Sequence, residues 1–231
     1  MISSHSMIRP GHFKLGLFSP NCSGGMAITS VDERWQATWE NNLELGILAD
    51  NLGLEFLLPI ARWAGYGGKT DFQGDSLETI TWATGLLSKT NRINIFATAH
   101  SAFFHPLVAA KQFATMTQIG KGRFGLNVVC GWNKPEYDMF GIQLSDSHDE
   151  RYEYGKSWFS LIKKAWEENK ENPYNYYQVC ILADEYYKDP KTRLQYYESL
   201  LEMYPKLSPF IKERVIKRVS EIKEEIHYAG N

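Results

Sequence analysis

Four short apolar runs, separated by helix-like segments, constrain the fold of this 231-residue chain more than any other feature. Each run has the length and residue types of a buried β-strand. Strands that are apolar on both faces and alternate with helices are typical of a parallel sheet covered by helices. Each run ends in a loop rich in Gly, Trp, Arg or His, so polar groups should collect at one end of the sheet. The predicted strands span residues 13–19, 55–61, 92–98 and 124–129.

Four amphipathic segments alternate with these strands and predict a β-α-β-α-β-α-β-α order. The first helix is expected over residues 33–51 with Asp32 as its N-cap, and the second from Asp75 or Ser76 to about residue 88, with Glu78 in a capping role. A third helix follows Pro106, a favoured first-turn residue, and ends at residue 119. The fourth is predicted over residues 151–166, after a polar loop.

The glycine distribution divides the chain near residue 167. The sequence contains 18 glycines but none between Gly155 and Gly230. Residues 168–231 instead carry three apolar stripes at helical spacing, with Pro190 and Pro209 at the starts of the second and third. We predict one domain over residues 13–167 and a helical segment over residues 168–231. The helical segment resembles a single tetratricopeptide-type repeat with a cap helix.

Composition argues against several classes of function. The net charge of -2 gives no basic surplus for nucleic acid. No run approaches the roughly 18 apolar residues of a membrane helix, and residues 1–12, predicted to be a loosely attached leader, lack the apolar region of a secretory signal. Three widely spaced cysteines show neither metal-ligand spacing nor a disulfide framework. A cytoplasmic protein without a bound metal is therefore expected.

The segment 122–141, GRFGLNVVCGWNKPEYDMFG, is the most informative candidate site. Asn127 lies in the middle of its apolar strand, and Glu136 lies in the polar loop that follows. Cys130, at the strand end, is expected to be a small buried side chain rather than a nucleophile. Buried strands that deliver polar and aromatic groups at their C-terminal ends are how α/β proteins build ligand sites.

Three further motifs extend this segment into a family pattern: SPNCSGG after the first strand, GYGGKTDF after the second and HDERYEYG at the fourth helix. The ordered set, over about residues 13–167, resembles the bacterial-luciferase-like family of flavin-dependent monooxygenases, especially its dimethylsulfone, alkanesulfonate and pyrimidine monooxygenases. The resemblance implies a (β/α) TIM-type barrel that binds reduced FMN (FMNH2) from a separate flavin reductase. It also implies oxygenation of a small sulfur compound or pyrimidine-like substrate with O2.

The resemblance also assigns site residues. Asn127 would bond the pyrimidine edge of the flavin, and Arg151 would offer a phosphate both a guanidinium and a helix N-terminus. Each assignment has an ordinary structural alternative: a satisfied core amide for Asn127, a helix-start ion pair for Arg151 and a packing role for His100. Only the ordered set across four strand ends favours the flavin interpretation. The implied cofactor contacts are Ala61, Arg62, Thr98, Asn127, Glu136, Arg151 and Tyr152, and the implied catalytic residue is His100.

The chain departs from the family in extent. Four β-α units are half of an eight-stranded barrel, which typically needs about 250 residues, and four parallel strands cannot close into a barrel. Three outcomes are open. The helical segment covers the open sheet face, or two chains associate as a homo-oligomer, or the chain is a truncated or fused product with little activity. A non-catalytic alternative is an interaction protein whose Tyr-rich helical segment binds a partner through Tyr176, Tyr187, Tyr197 and Tyr204.

Overall fold

The computed structural model describes residues 13–169 and 171–229, so the predicted leader at residues 1–12 lies outside the described residues. Strands and helices alternate along the first part of the chain, and helices alone follow. The elements are β1 (Gly16–Phe18), α1 (Trp39–Leu52), β2 (Phe56–Leu58), α2 (Thr79–Lys89), β3 (Asn94–His100), α3 (Pro106–Ile119), β4 (Phe124–Val129), α4 (Lys134–Met139), α5 (His148–Glu168), α6 (Pro173–Tyr186), α7 (Pro190–Met203) and α8 (Pro209–Ala229).

The strands form one parallel sheet in the order β1-β2-β3-β4. Each strand pairs with the next one along the chain, and right-handed crossovers then place all the connecting helices on one face. This sequential strand order is the arrangement of half a (β/α) barrel. In a doubly wound sheet the strand order instead reverses at a switch point within the sheet. The predicted fold class, a partial TIM-type barrel of about four β-α units followed by a helical segment, is confirmed.

The two faces of the sheet differ in burial because successive residues of a strand point to opposite sides. Leu57, Ile95 and Phe124 share one row on the helix-covered face, and none is more than 4% exposed. On the other, inner face, Phe56 and Phe96 are half-buried and meet edge to face, with ring centroids 5.9 Å apart. The inner face therefore remains open in part.

Two of the predicted helices start later than expected. Helix α1 begins at Trp39 rather than residue 33, with Thr38 as its N-cap. The preceding segment is held as a loop because the Trp35 indole donates a hydrogen bond to the Pro20 carbonyl at 2.7 Å. Helix α2 begins at Thr79, since Glu78 itself is the N-cap and its carboxylate accepts the first free backbone N–H groups. The capping role predicted for Glu78 is thus confirmed.

A short helix was missed between β4 and the long helix that follows. The predicted polar loop contains α4, a six-residue helix from Lys134 to Met139 with Asn133 as its N-cap. Helix α5 also begins earlier than predicted, at His148, because the Ser147 hydroxyl accepts a hydrogen bond from the Glu150 N–H and caps it. Helix α4 matters for the site because it carries Glu136.

The three predicted C-terminal helices are confirmed as α6, α7 and α8. Helix α6 packs against α3 and α5, and the Gln178 amide donates a hydrogen bond to the Thr117 hydroxyl. The Arg214 guanidinium reaches the Gly122 carbonyl, just before β4, at 3.5 Å. These contacts lie on the helical layer and at the N-terminal end of β4, not on the concave sheet face. The division of the chain near residue 167 stays a prediction.

A buried ionic network holds the three C-terminal helices together. The Asp184 side chain is fully buried and accepts hydrogen bonds from Arg218 Nε at 2.7 Å and Arg218 Nη2 at 2.9 Å. Arg193 Nη1 lies 3.2 Å from the same carboxylate, and the Tyr197 hydroxyl donates to it at 3.1 Å. One carboxylate thus links α6, α7 and α8.

The aromatic stripe of the C-terminal helices points largely inward. Tyr176 and Tyr197 are buried, and Tyr204 is half-buried. Tyr187 is exposed and lies just past the end of α6. Tyrosines used for core packing are not available to a partner, so the interaction-protein alternative is not favoured.

Candidate functional site

The C-terminal ends of β2, β3 and β4 bring most of the predicted site residues to one edge of the sheet. Ala61 and Arg62 follow β2, whereas Thr98 and His100 lie in β3 and Asn127 lies in β4. Thr98 pairs with Asn127 across the two strands, and His100 is two residues further along the same face. Parallel strands end at the same edge, so these side chains share one region.

Asn21, in the loop after β1, fixes the path of the chain beyond β2. Strand β2 ends at Leu58, earlier than predicted, because Pro59 has no N–H to continue the ladder. The Asn21 side chain takes over by accepting a hydrogen bond from the Ile60 N–H at 2.9 Å and donating one to the Ile60 carbonyl at 2.8 Å. Asn21 is fully buried, so it positions the following Ala61 rather than contacting a ligand.

A chain of hydroxyl and amide hydrogen bonds orders the inner face at the ends of β3 and β4. Asn127 Nδ2 donates to Thr98 Oγ1 at 3.2 Å, and that hydroxyl donates to the Pro59 carbonyl at 2.6 Å. Thr79, at the start of α2, donates to the Thr98 carbonyl at 2.5 Å. Asn127 is half-buried, so part of its amide remains open to the inner face.

Glu136 occupies the centre of the site. It is 1% exposed, and its Oε1 accepts hydrogen bonds from Arg62 Nη1 at 3.0 Å, the Trp63 N–H at 2.9 Å and the Ala64 N–H at 3.4 Å. Its Oε2 lies 3.8 Å from His100 Nε2. Helix α4 is therefore tied to the β2 end and to β3 through a single carboxylate.

The Arg62 guanidinium orders the loop that follows β2. Arg62 Nε donates to Gln73 at 3.0 Å, and Nη2 donates to the Tyr66 hydroxyl at 3.3 Å. The guanidinium carbon also lies 5.0 Å from the centroid of the Tyr66 ring and 5.5 Å from that of Trp132, which are cation–π distances. The Arg62 side chain is 6% exposed, so its positive charge is compensated by the Glu136 carboxylate rather than by solvent.

His100 is buried with one ring nitrogen unused. It is 4% exposed, and its Nδ1 has no hydrogen-bond partner among the described residues. Burial lowers the pKa of His100, the Glu136 carboxylate raises it and the Arg62 guanidinium lowers it. Because the net direction is down, the imidazole is neutral at neutral pH. A buried polar atom without a partner is uncommon in folded proteins.

Aromatic side chains and a small cavity adjoin these polar groups. Phe103 lies 4.7 Å from the His100 ring and stacks on Phe140 at 4.2 Å, and Trp63 meets Phe140 at 5.1 Å between ring centroids. A cavity of about 290 Å³ lies between the β2 end and the start of α2. Its walls include Ala61, Arg62, Trp63, Ser76, Glu78, Thr79 and Thr98.

Arg151 and Tyr152 lie apart from this cluster, near the start of α5. Arg151 Nη1 donates to the carbonyls of Ser145 at 2.7 Å and Asp146 at 3.2 Å, while its Nε has no partner among the described residues. Arg151 thus contacts carbonyl groups rather than the ion-pair partners considered from the sequence. Tyr152 is 50% exposed and stacks on His148. No described hydrogen bond joins these two residues to the Glu136 cluster.

The cysteines are unpaired, and the Cys22 thiol lies 3.9 Å from the Ile60 carbonyl that Asn21 also bonds. Cys22 and Cys180 are buried, and burial raises the pKa of the Cys22 thiol to about 11. Burial also raises the pKa of Cys130, which is half-buried at the end of β4. Across residues 13–169 and 171–229, no three His, Cys, Asp or Glu side chains come together as metal ligands, and no helix has the length and apolarity needed to cross a bilayer.

Comparison with known families agrees with the motifs. The family model described as luciferase-like monooxygenase matches residues 13–185. The chain belongs to this family. The resemblance first seen in four strand-end motifs is thereby confirmed, and the match runs beyond the fourth β-α unit into α6.

A pyrimidine monooxygenase from Methylobacterium radiotolerans is 36% identical to this chain over 154 residues. These residues cover 66% of this chain and 40% of the relative. The chain thus spans less than half the length of this relative. Among solved structures, a riboflavin lyase with modified FMN and riboflavin gives a TM-score of 0.57 at 24% identity, covering 66% of this chain and 37% of that one. The EDTA monooxygenase of Chelativorans sp. BNC1 gives a TM-score of 0.57 at 21% sequence identity. The match covers 67% of this chain and 38% of that one.

Sequence reasoning missed Asn21, Gln73 and Tyr66. Asn21 and Tyr66 lie in motifs that were noted for their glycines, SPNCSGG and GYGGKTDF, and Gln73 directly follows the second motif. The usable signal was a polar side chain directly after a predicted buried strand, as in Pro20-Asn21. Their partners are 4 to 56 residues away along the chain, and spacing alone does not indicate such pairs.

Proposed function

We propose that this chain carries the site of an FMN-dependent monooxygenase, which oxygenates a small organic substrate with O2 and reduced FMN. Family membership supports flavin chemistry, and the riboflavin lyase of similar fold was solved with a modified FMN. The proposal extends to the whole activity of the longer relatives, of which this chain matches less than half.

The observation that carries the proposal is the convergence of predicted site residues at the ends of β2, β3 and β4. The His100 Nδ1 there is buried and has no partner among the described residues. Asn127, on the same face, keeps part of its amide open. A flavin ring offers both N–H donors and carbonyl acceptors, so these residue types fit its polar edge. The flanking aromatic side chains fit its apolar faces and would keep water away.

Each residue has a role in the proposed site. Thr98 and Asn127 bind the polar edge of the cofactor, and Ala61 and Arg62 form the wall at the end of β2. Reduced flavin supplies the electrons that activate O2 when it is bound. His100, neutral and close to this wall, is the proposed catalytic residue, because its Nδ1 can accept a proton or a hydrogen bond. Glu136 completes the site from α4.

Arg151 and Tyr152 form a second part of the proposed cofactor site. Among the described residues the Nε of Arg151 has no partner, and a guanidinium near a helix start is suited to an anionic group such as a phosphate. The exposed Tyr152 ring flanks it. We place the phosphate end of FMN here, apart from the ring-binding residues.

Substrate and partners are part of the proposal. Between a pyrimidine-like substrate and a sulfur compound, the pyrimidine monooxygenase relative favours the former. Reduced FMN would come from a separate flavin reductase, and a second copy of the chain would associate as a homo-oligomer. The unpaired cysteines support a cytoplasmic location.

Flavin titration tests the proposal. Purified protein is titrated with FMN and, without oxygen, with FMNH2, while flavin fluorescence and the unfolding temperature are followed. We expect saturable quenching and a rise in unfolding temperature. Absence of both effects at millimolar flavin would overturn the proposed function.

A further inference from the structure

We propose that Glu136 is a positioning residue, which fixes Arg62 and His100 so that the free ring nitrogen of His100 faces a ligand at the ends of β2–β4. This inference rests on the proposed function for the identity of the ligand. It gives Glu136 an indirect role, through two protein groups, instead of the direct flavin contact implied by the family resemblance.

One oxygen of the Glu136 carboxylate is already occupied by protein donors. Its Oε1 already accepts three hydrogen bonds, from Arg62, Trp63 and Ala64, and the residue is 1% exposed. A buried carboxylate needs a compensating charge and hydrogen bonds, and at Oε1 the Arg62 guanidinium and two backbone N–H groups supply both. A ligand could bond Oε1 only by displacing protein donors.

Glu136 joins three β-α loops. It belongs to α4 after β4, it bonds the chain just after β2, and its Oε2 approaches His100 at the end of β3. In each case the contact is with the segment that carries a predicted site residue. A shift of this one carboxylate would therefore move the walls of the site together.

The charges around His100 influence which ring nitrogen of its neutral imidazole carries the proton. The charged groups near His100 are Glu136, on α4, and Arg62, after β2. Glu136 Oε2 faces Nε2 at 3.8 Å, which is too long for a hydrogen bond but close enough for its negative charge to favour a proton on that nitrogen. Nδ1 then carries the lone pair, and this buried atom has no partner in the part of the chain that the structure describes. The arrangement presents an acceptor to an N–H or O–H group of a ligand.

The test replaces Glu136 by Gln, which preserves shape and one acceptor oxygen but removes the charge. The matched control is Asp138→Asn on the same helix, whose carboxylate is 58% exposed and pairs with Lys134. The His100 ring is titrated by NMR without any flavin, and its signals are assigned by their loss in His100→Gln. FMN affinity is measured separately.

We expect Glu136→Gln to lower the His100 pKa, because the carboxylate that raises it is gone while burial and Arg62 still lower it. FMN affinity should fall by about ten-fold, the scale of one charge-assisted contact. Asp138→Asn should change neither quantity. An unchanged His100 titration overturns the inference, because it would show that the Glu136 carboxylate does not act on the imidazole.

A measurement on the unaltered chain keeps the inference testable if Glu136→Gln does not fold. The ring ¹⁵N shifts of His100 report which nitrogen bears the proton. A proton on Nε2 supports the inference, and a proton on Nδ1 overturns it. Because neither titration nor tautomer requires flavin, failure of the unaltered chain to bind FMN would count against the proposed function alone.

Discussion

Single polar side chains decide the geometry of this site, and the sequence revealed only some of them. Asn127, Glu136 and His100 were predicted because the strand-end motifs resemble those of a known family. Asn21 was not, because it bonds the Ile60 and Leu77 carbonyls, 39 and 56 residues away. A one-dimensional pattern shows where a strand ends, but it does not show which distant backbone groups lack partners there.

Replacing Asn127 by Leu should weaken FMN binding by about ten-fold or more while leaving the fold intact. The residue is half-buried and its amide lies on the inner face beside Thr98, so Leu removes donor and acceptor without adding much volume. Fluorescence titration measures the affinity, and circular dichroism checks the fold. Asn91→Leu, at an exposed turn, is the control. Equal FMN affinity in the Asn127 variant would contradict the assigned site.

His100 should make stability depend on pH. Burial lowers its pKa in the folded chain below the ordinary 6.5, so the unfolded chain binds more protons as the pH falls through that value. The free energy of unfolding should therefore fall from about pH 7.5 to about pH 5.5, with a slope that approaches about 1.4 kcal/mol per pH unit for one proton.

Urea denaturation at several pH values measures this slope. His100→Gln should reduce it, whereas His148→Gln should not, because the His148 side chain is 67% exposed. An identical slope in the chain with His100 and in His100→Gln would show that another group carries the pH dependence.

At the scale of elements, caps and buried contacts set the boundaries that periodicity left approximate. Strand β4 was predicted with its observed bounds, and α3 began at Pro106 as expected. The start of α1 was wrong because Trp35 bonds back to Pro20, a tertiary contact that overrides local helical preference. Helix α4 was missed because six residues are too few to show an apolar period.

Asp50 at the end of α1 should be a strong stabilising residue. Its carboxylate is 6% exposed and accepts hydrogen bonds from the N–H groups of Asn91, Arg92 and Ile93 at 2.7–2.8 Å, just before β3. Asp50→Ala leaves these donors without a charged partner and should cost about 2–3 kcal/mol of unfolding free energy.

Urea denaturation of Asp50→Ala and of Glu44→Ala, an exposed position on the same helix, tests this expectation. The Glu44 variant should differ by less than about 0.5 kcal/mol. A comparable loss in both variants would indicate that helix propensity, not the Asp50 contacts, controls stability here.

For the whole molecule, the sequence predicted the half-barrel and the helical end but not how they meet. The amphipathic stripes of α6–α8 showed that they bury one side, yet the partner surface is set by contacts such as Gln178 to Thr117 and Arg214 to Gly122. These polar pairs join residues 61 and 92 positions apart. Packing against α3 leaves the concave sheet face partly open, which no pattern in the C-terminal helices indicated.

The Asp184 network should couple the C-terminal helices to the stability of the whole chain. Asp184→Asn removes the buried carboxylate that Arg218 and Arg193 share. It should cost about 2–3 kcal/mol, because both arginines keep their pairs with Glu225. Since α6 also packs on α3, helix loss and tryptophan fluorescence should change in one shared transition in urea.

Glu198→Gln is the matched control, because its pair with Lys223 is half exposed, at 47% and 57%. It should cost less than about 1 kcal/mol. Two separate transitions in the unaltered chain would show that the half-barrel and the helical segment unfold independently.

The hydrogen bonds from Trp63 and Ala64 to Glu136 have a thermodynamic consequence for any ligand of this edge. These bonds fix the chain where it enters the glycine-rich loop and restrict its conformations before the ligand arrives. The free energy of association therefore includes a smaller entropy loss from ordering this segment. Calorimetry should then give a heat-capacity change that matches the apolar surface buried by the ligand alone, without the larger change that accompanies folding of a segment on binding.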